Sequence, residues 1–478
     1  MLPFAAALCC FALAIRRTLK AGMSPVAAML LYYSLGYVIY TYAVWFSVTK
    51  RDVNVGFFIA DIPLSTTYTA TPLMELQNDA TTAHLLFAII FAALWFIPAN
   101  KPVPAELPNL SRFKIPRPAQ KMDVFGILMA VSVIFVLLEL WHAANVPWHD
   151  LWWFARYQTY KHPDGLGITN PLLRMFHFQM KVSGLVLFGL AIYAADHKKY
   201  GLLLVAFLAS LYPLFFNMIT NSRFIISYPA LFILLGLVQR KPAKVAVGVF
   251  GFLYFFNLSI TGRSRGEYGI STYTFEYLWN VFLGIPNAVV GVVVNVFDTM
   301  FIIGRAAFRG GAYSPTYEML SFSPLPSSID KFESIREEGM RISRAVPYSS
   351  WIEAYLFGWS YFALLLVAVI AMVVLAQRLH ERVGTRIGIV IVAWTLVVNQ
   401  LISQYPVRNS FRFVLLSLII FGFALRSAKP RKPQGSGLVG MLSQQAQARM
   451  PAPFAQRPLQ QPRPVRAMDR PRTMSMRR

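Results

Sequence analysis

The sequence predicts an all-α polytopic integral membrane protein, and three observations predict it. Of its 478 residues, 56% are apolar and only 14% are charged, where a soluble domain carries about 25% charged residues. Apolar runs recur along the chain at the length that crosses a hydrocarbon core, about 20 residues. Most Lys and Arg fall on one alternating set of the connections between those runs, as the positive-inside rule requires.

The apolar runs define eleven expected spans, at about 2–15, 24–48, 82–99, 124–143, 175–195, 200–219, 224–238, 245–261, 353–377, 387–403 and 411–426. No Lys or Arg precedes the first, while Arg16, Arg17 and Lys20 follow it. A secretory signal peptide has the opposite polarity. The other basic runs also follow odd-numbered spans: Lys101, Arg112, Lys114, Arg117 and Lys121; Lys198 and Lys199; Arg240, Lys241 and Lys244; Arg378, Arg382 and Arg386. These connections are expected in the cytoplasm, with the N-terminus outside and the C-terminus inside.

Residues 278–304 are apolar enough for a twelfth span, but crossing there would put Arg378 to Arg386 outside. Asn280, Gly284, Asn287, Gly291, Asn295 and Asp298 repeat on one narrow helical face, and Pro286 interrupts the run. A helix or broken pair resting at the outer interface is expected, docked through that face. The chain then divides into a first bundle of eight spans, 1–261, a large outer helical loop, 262–352, three last spans, 353–426, and a tail, 427–478. The tail is rich in Pro, Gln and Arg and has few apolar residues to bury, so it is expected to be disordered and to meet anionic headgroups. Because the basic residues sit in short connections and this tail, the net charge of +24 points to membrane lipids and not to nucleic acid. Cys9 and Cys10 are adjacent, which gives neither a disulfide framework nor metal spacing.

A second outer connection, 144–174, carries Trp148, Trp152, Trp153, Tyr157 and Tyr160. Such residues form interfacial belts, and their faces also stack on sugar rings. Glu139 and His142 share a helix face nearby, with His149, His162 and His177 in the same region. No second Glu-x-x-His partner exists, so no metal ion is expected.

A smaller set of arginines lies on the side where basic residues are scarce. Ser222-Arg223 occupies a tight turn, Arg263-Ser264-Arg265 ends the eighth span, and Arg408 and Arg412 open the last. Arginine near a span end snorkels to headgroups. Recurrence at three turns of one side points instead to an anion site, because guanidinium forks grip phosphate oxygens bidentately.

With Asn221-Ser222-Arg223, Arg263-Ser264-Arg265, the run Ser349-Ser350-Trp351-Ile352-Glu353-Ala354-Tyr355-Leu356-Phe357-Gly358, and Arg408 and Arg412, the chain resembles the bacterial O-antigen or oligosaccharide repeat-unit polymerases. The likeness covers roughly residues 80–426 in layout. It implies a glycosyltransferase of the bacterial cytoplasmic membrane that polymerises polyprenyl-diphosphate-linked repeat units at the outer face, for O-antigen, capsule or exopolysaccharide. Arg223, Arg263, Arg408 and Arg412, with Ser222 and Ser264, would bind the diphosphate. Arg265 would stabilise the leaving group and Glu353 would take the acceptor proton. An acid at a helix start is also favoured by the helix dipole alone. Trp148, Trp152 and Trp153 would stack on sugars. No cofactor or metal is expected, and a chain-length regulator is an expected partner. Two alternatives remain. An O-antigen ligase would share the arginines but tends to place a histidine in the outer loop, and 262–352 has none. A flippase of lipid-linked oligosaccharides would need more ionisable residues within the spans.

This topology sets a labelling pattern. A cysteine at Ser327 is expected to react with an impermeant thiol reagent in intact cells, and one at Ser436 only after permeabilisation. The reverse pattern overturns the orientation.

Overall fold

Long runs of Leu, Val, Ala and Ile with few interior breakers make the chain helical almost throughout. The computed structural model describes residues 2–49, 73–98, 124–153, 167–220, 222–265, 269–297, 300–301, 313–325, 329–339, 341–343, 346–383 and 385–427, all belonging to the unit Met1–Lys429. The tail expected to be disordered lies outside the described residues beyond Ser427.

The helices are α1 Leu2–Ala21, α2 Pro25–Thr49, α3 Leu73–Trp95, α4 Val124–Ala144, α5 Trp148–Trp153, α6 Pro171–Asp196 and α7 Tyr200–Ile219. A 3₁₀ turn, Arg223–Ile226, leads into α8 Ser227–Gln239, followed by α9 Pro242–Arg265 and a second 3₁₀ turn, Ile270–Thr272. Then come α10 Phe275–Leu283, α11 Ile285–Phe297, α12 Pro315–Ser321 and α13 Phe332–Ile335. A two-stranded antiparallel ribbon pairs β1 Arg341–Ser343 with β2 Val346–Pro347. The chain continues as α14 Ser350–Phe357, α15 Trp359–Val383, α16 Thr385–Gln404 and α17 Val407–Ser427.

Seven helical segments among the described residues are long and apolar enough to cross a membrane: Leu2–Lys20, Phe125–Ala144, Tyr200–Ile219, Pro242–Ser259, Trp359–Val383, Ile387–Gln404 and Val407–Ser427. Helix α6 makes an eighth if its halves, bent by 60° between His177 and Val182, form one span. Each of the eleven expected runs falls on a helix, although Ala80–Trp95 and Phe224–Gln239 are short. The run expected at 353–377 divides at Gly358, whose φ of 128° is open to glycine and disfavoured for L side chains. The spanning helix therefore starts at Trp359, and Glu353 sits on a separate helix, α14, ahead of it.

Short turns make antiparallel hairpins of α1 with α2, α6 with α7, α8 with α9, α15 with α16, and α16 with α17. Small residues allow the backbones to approach closely. A Cβ on Gly248 would come within 2.9 Å of the Ile233 backbone nitrogen. Helix α2 packs on α15 and α16, and Trp351, fully buried, donates its indole N–H to Tyr33 Oη at 2.8 Å. Hydroxyls on the helices bond their own backbone one turn earlier, as Ser34, Thr41, Ser132, Thr220, Thr395 and Ser417 do. They need no outside partner.

The connections expected to share the cytoplasmic side do meet one another. Arg17 donates to the carbonyls of Trp95 and Ile97. Asp196, ending α6, pairs with Lys241 at 3.1 Å and Lys244 at 3.0 Å in the α8–α9 turn. At the opposite ends, Ser271 donates to the Trp152 carbonyl at 2.8 Å and Tyr273 to the Met218 carbonyl at 2.6 Å.

The segment 278–304 breaks at Gly284 into α10 and α11. Of the face expected to dock, Gly284 makes a close approach, while the surroundings of Asn287, Gly291, Asn295 and Asp298 lie outside the described residues. Tyr277, Val281 and Ala288 are buried and Asn280 is exposed. The apolar stripe turns inward because Ile225 and Leu258 offer it an apolar surface, and an exposed amide costs nothing in water. Gly284 is the close-approach residue: a Cβ there would lie 2.6 Å from Asn257 Nδ2. That amide donates to the Val281 carbonyl at 2.8 Å, one of the acceptors a helix leaves open at its C-terminus. Gly284→Leu is expected to displace Asn257 and cost about 1–3 kcal/mol for the stranded carbonyl, lowering the thermal unfolding midpoint in detergent more than Gly284→Ala does. Equal midpoints for wild type and both variants would remove this contact as the anchor.

Candidate functional site

Helix α14 is set in place by two hydroxyls at its start. Ser349 Oγ caps the helix through Ile352 N–H at 3.4 Å and donates to the Met300 carbonyl at 2.9 Å. Ser350 Oγ donates to the Tyr405 carbonyl at 2.6 Å and contacts Ser410 Oγ. These bonds tie α14 to the end of α16 and the start of α17, and they bury Glu353 to 2% exposure. Glu353 Oε1 accepts from the Tyr317 hydroxyl of α12 at 3.1 Å, and Oε2 accepts from the Val407 N–H. Val407 opens α17, so the carboxylate satisfies a donor that every helix start leaves free. Burial pushes the Glu353 carboxyl up to about 7, against the opposing pull of its bonds from Val407 and Tyr317.

Arg408, one residue on, is 3% exposed. Its guanidinium donates to the carbonyls of Leu320, of Ser323 at 3.3 Å and of Leu325 at 2.9 Å. It pairs with Asp330 Oδ2 at 2.6 Å and lies 4.5 Å from the centre of the Phe332 ring, a cation–π contact. Arg412, half-buried, donates to the carbonyls of Ser323, at 3.5 Å, and Leu325. The three carbonyls lie at and just beyond the C-terminal end of α12, where a helix runs short of its own donors; that of Leu320 also accepts from the Ser323 N–H at 3.1 Å. Burial by itself would raise the Asp330 carboxyl, but hydrogen bonds from Ser323 and Arg408 outweigh it and hold the group below the usual carboxylate range.

The structure therefore brings Glu353, Arg408 and Arg412 into one hub beneath α12 and the segment 322–332. In this arrangement Arg408's fork faces the loop, and both oxygens of Glu353 are covered by protein.

The remaining expected anion-site residues fall at the first 3₁₀ turn and at the end of α9. Ser222 is buried, and its hydroxyl accepts from Phe224 N–H at 3.4 Å, capping the 3₁₀ turn that Arg223 begins. Arg263, Ser264 and Arg265 form the last turn of α9, where the helix dipole favours cations. The turn and α9 are joined by the cluster of Ile225, Leu258, Tyr277 and Val281. The side chains of Arg223, Arg263, Ser264 and Arg265 lie outside the described residues. Helix α11 touches both α9 and α16.

Of the aromatic platform, Trp148 packs inward. Its indole donates to the Ala143 carbonyl at 2.8 Å, and its ring meets Tyr212 and Phe215. Trp152 is about half exposed, at 48%, and the Trp153 side chain lies outside the described residues. Among the described residues no group of three His, Cys, Asp or Glu is placed to hold a metal ion.

Tyr317, Asp330 and Phe332 escape sequence reasoning, because each is an isolated residue in the outer loop whose partner lies more than thirty positions away in α14 or α17. The cap Ser314 ahead of Pro315, with its hydroxyl accepting from Tyr317 N–H at 3.2 Å, is the one local signal that α12 starts there. No family model, no curated protein and no solved structure matches this chain.

The hub carries a pH dependence with a definite sign. Folded Glu353 keeps its proton up to about 7, where an ordinary glutamate loses it near 4.5. The folded state thus holds more protons between those values. Its stability is full below the lower value and falls as pH rises through the upper one. Glu353→Gln is expected to flatten the fall in thermal midpoint across this window. A slope unchanged in the variant would assign it to another group.

Proposed function

We propose that this protein is a polymerase of polyprenyl-diphosphate-linked oligosaccharide repeat units, with eleven spans, the N-terminus outside and the C-terminus in the cytoplasm of a bacterial inner membrane. The observation that carries this reading is the concentration of arginines, with one buried carboxyl, at the ends of spans expected to face outward. Leaving-group diphosphate needs positive charge held in a water-poor place. Glycan transfer also needs a group near neutral pKa to take the acceptor proton, and Glu353 has that character.

In this reading the arginines divide the work. Arg408 anchors the outer segment, holding three carbonyls and Asp330 at once. Arg412, together with Arg223, Arg263 and Arg265, makes the diphosphate ligand set. Arg265 neutralises the departing charge, and Glu353 acts once the Tyr317 hydroxyl moves off it. The segment 313–332 is then a lid that shields the reaction from water. Of the sugar platform Trp152 remains, and a chain-length regulator would act from the same outer side.

One observation favours a flippase instead. Helix α6 bends by 60° beside the buried Glu139, His142 and His177, and broken helices around buried ionisable groups are a transporter feature. The two readings separate on product size in cells. Arg223→Lys and Arg265→Lys keep charge but lose the fork, and each is expected to leave single repeat units on lipid at the outer face with no ladder, at normal protein levels. Near-wild-type ladders from both would remove the diphosphate site. Units trapped on the cytoplasmic face would select the flippase, and a full ladder on lipid that fails to reach the core acceptor would select the ligase.

A further inference from the structure

Four helices, α4, α6, α7 and α8, gather a second polar group close to the end of the bundle where α4 finishes and α6 begins. His142 is fully buried, His177 is 3% exposed and Glu139 is 4% exposed. His142 Nε2 lies 3.1 Å from His177 Nδ1, and His142 Nδ1 lies 2.7 Å from Tyr212 Oη. Tyr212 and Tyr228 are both within electrostatic reach of Glu139. Glu139 Oε1 and Tyr228 Oη are buried with no hydrogen-bond partner. The packing needs Gly184, since a Cβ there would meet Tyr228 Oη at 2.4 Å and Pro213 at 2.5 Å.

The chain Tyr212–His142–His177 can be satisfied in two ways. If His142 donates from Nε2 to His177, its Nδ1 accepts the Tyr212 O–H. If His177 donates from Nδ1, then His142 Nε2 accepts and its Nδ1 donates to the Tyr212 oxygen. A neutral imidazole has one donor and one acceptor nitrogen, so His142 can take either arrangement, and in the second the Tyr212 O–H is released to turn toward the unpartnered Glu139 Oε1 and hand its proton over. A chain of this kind conducts a proton. It ends near a carboxyl whose unpartnered oxygen is costly to keep ionised in an apolar bundle. The three acids and bases do not converge as metal ligands do.

We propose that Glu139 is a proton-binding site and that His177, His142 and Tyr212 are its path to the end of the bundle. A proton entering on His177 makes an imidazolium. Each donor in the chain then shifts by one place, and the Glu139 carboxylate gains an O–H bond while His177 returns to neutral. The group passes from a net charge of −1 to zero, and release reverses the steps. The other groups on the packed elements are Tyr228 of α8, and Arg174 and Lys181 of α6, one turn to either side of His177. The bend of α6 between His177 and Val182 and Pro213 within α7, which has no N–H to give the carbonyl one turn earlier, make this the most deformable part of the bundle. This inference is independent of the glycan chemistry.

Infrared spectroscopy of the full chain in lipid nanodiscs tests it. At neutral pH the wild type is expected to show two protonated-carboxyl contributions, one that Glu353→Gln removes and a second that Glu139→Gln removes and Glu353→Gln does not. On transfer to D₂O the second contribution is expected to shift about tenfold more slowly in His142→Phe and Tyr212→Phe than in wild type, because exchange then waits on local opening. Both variants keep a ring in place, so their folding is judged by elution and tryptophan emission. A wild type without the second contribution, or equal exchange in wild type and both ring variants, overturns the proposal. Should Glu139→Gln fail to fold, the comparison of Tyr212→Phe with wild type still decides it.

Discussion

The placement of α12, α14 and the start of α17 depends on one guanidinium. A helix that ends in a loop leaves carbonyls without donors, and α12 ends beneath a bundle where such groups are costly. Arg408 supplies the donors from a planar fork that lysine lacks. It reaches three elements at once, the end of α12, Asp330 and the face of Phe332. Arg412, one turn along α17, bonds two of the same carbonyls. Glu353 completes the arrangement from beneath by taking the Val407 N–H and the Tyr317 hydroxyl. The opening of α17 thereby fixes the position of both a short buried helix and a loop segment.

The same constraint explains where polar side chains are tolerated within the bundle. Most hydroxyls on the spanning helices bond their own backbone, which costs no partner from a neighbour. Among the exceptions are two groups that hold a buried carboxyl, the hub at α14 and the histidine group between α4, α6 and α7. At each, a buried carboxyl stands next to a tyrosine hydroxyl or within its electrostatic reach. They differ in completeness. Glu353 has a partner for each oxygen, which suits a group held until a loop moves. Glu139 has one oxygen with none, which suits a group that exchanges a proton.

The candidate site was legible in part. Arg408 and Arg412 stood out because basic residues are scarce at that set of span ends, and Glu353 because of the run 349–358 that carries the family resemblance; folding brought those three together. Asp330 and Tyr317 gave no such sign, since an acid or a phenol in a polar loop is unremarkable until its partner is known. Trp148 looked like a sugar platform from its neighbours in sequence, yet its indole finds the Ala143 carbonyl and its ring finds Tyr212. Spacing picked out Gly284 on the polar stripe at the end of α10, and the apolar surface of Ile225 and Leu258 is what Tyr277 and Val281 pack on beside it.

By itself the sequence determined the helical, membrane-crossing class. Apolar length and alternating basic connections are local or additive properties, and a bilayer allows few other solutions for the backbone. Tertiary structure alone decided that the ninth apolar run breaks at Gly358, leaving Glu353 on a buried helix of its own. It alone decided that Arg408 faces a loop, and that His142 meets His177. These outcomes turn on contacts between residues 35 to 88 positions apart, whose energies depend on distance and desolvation and have no counterpart in composition or spacing.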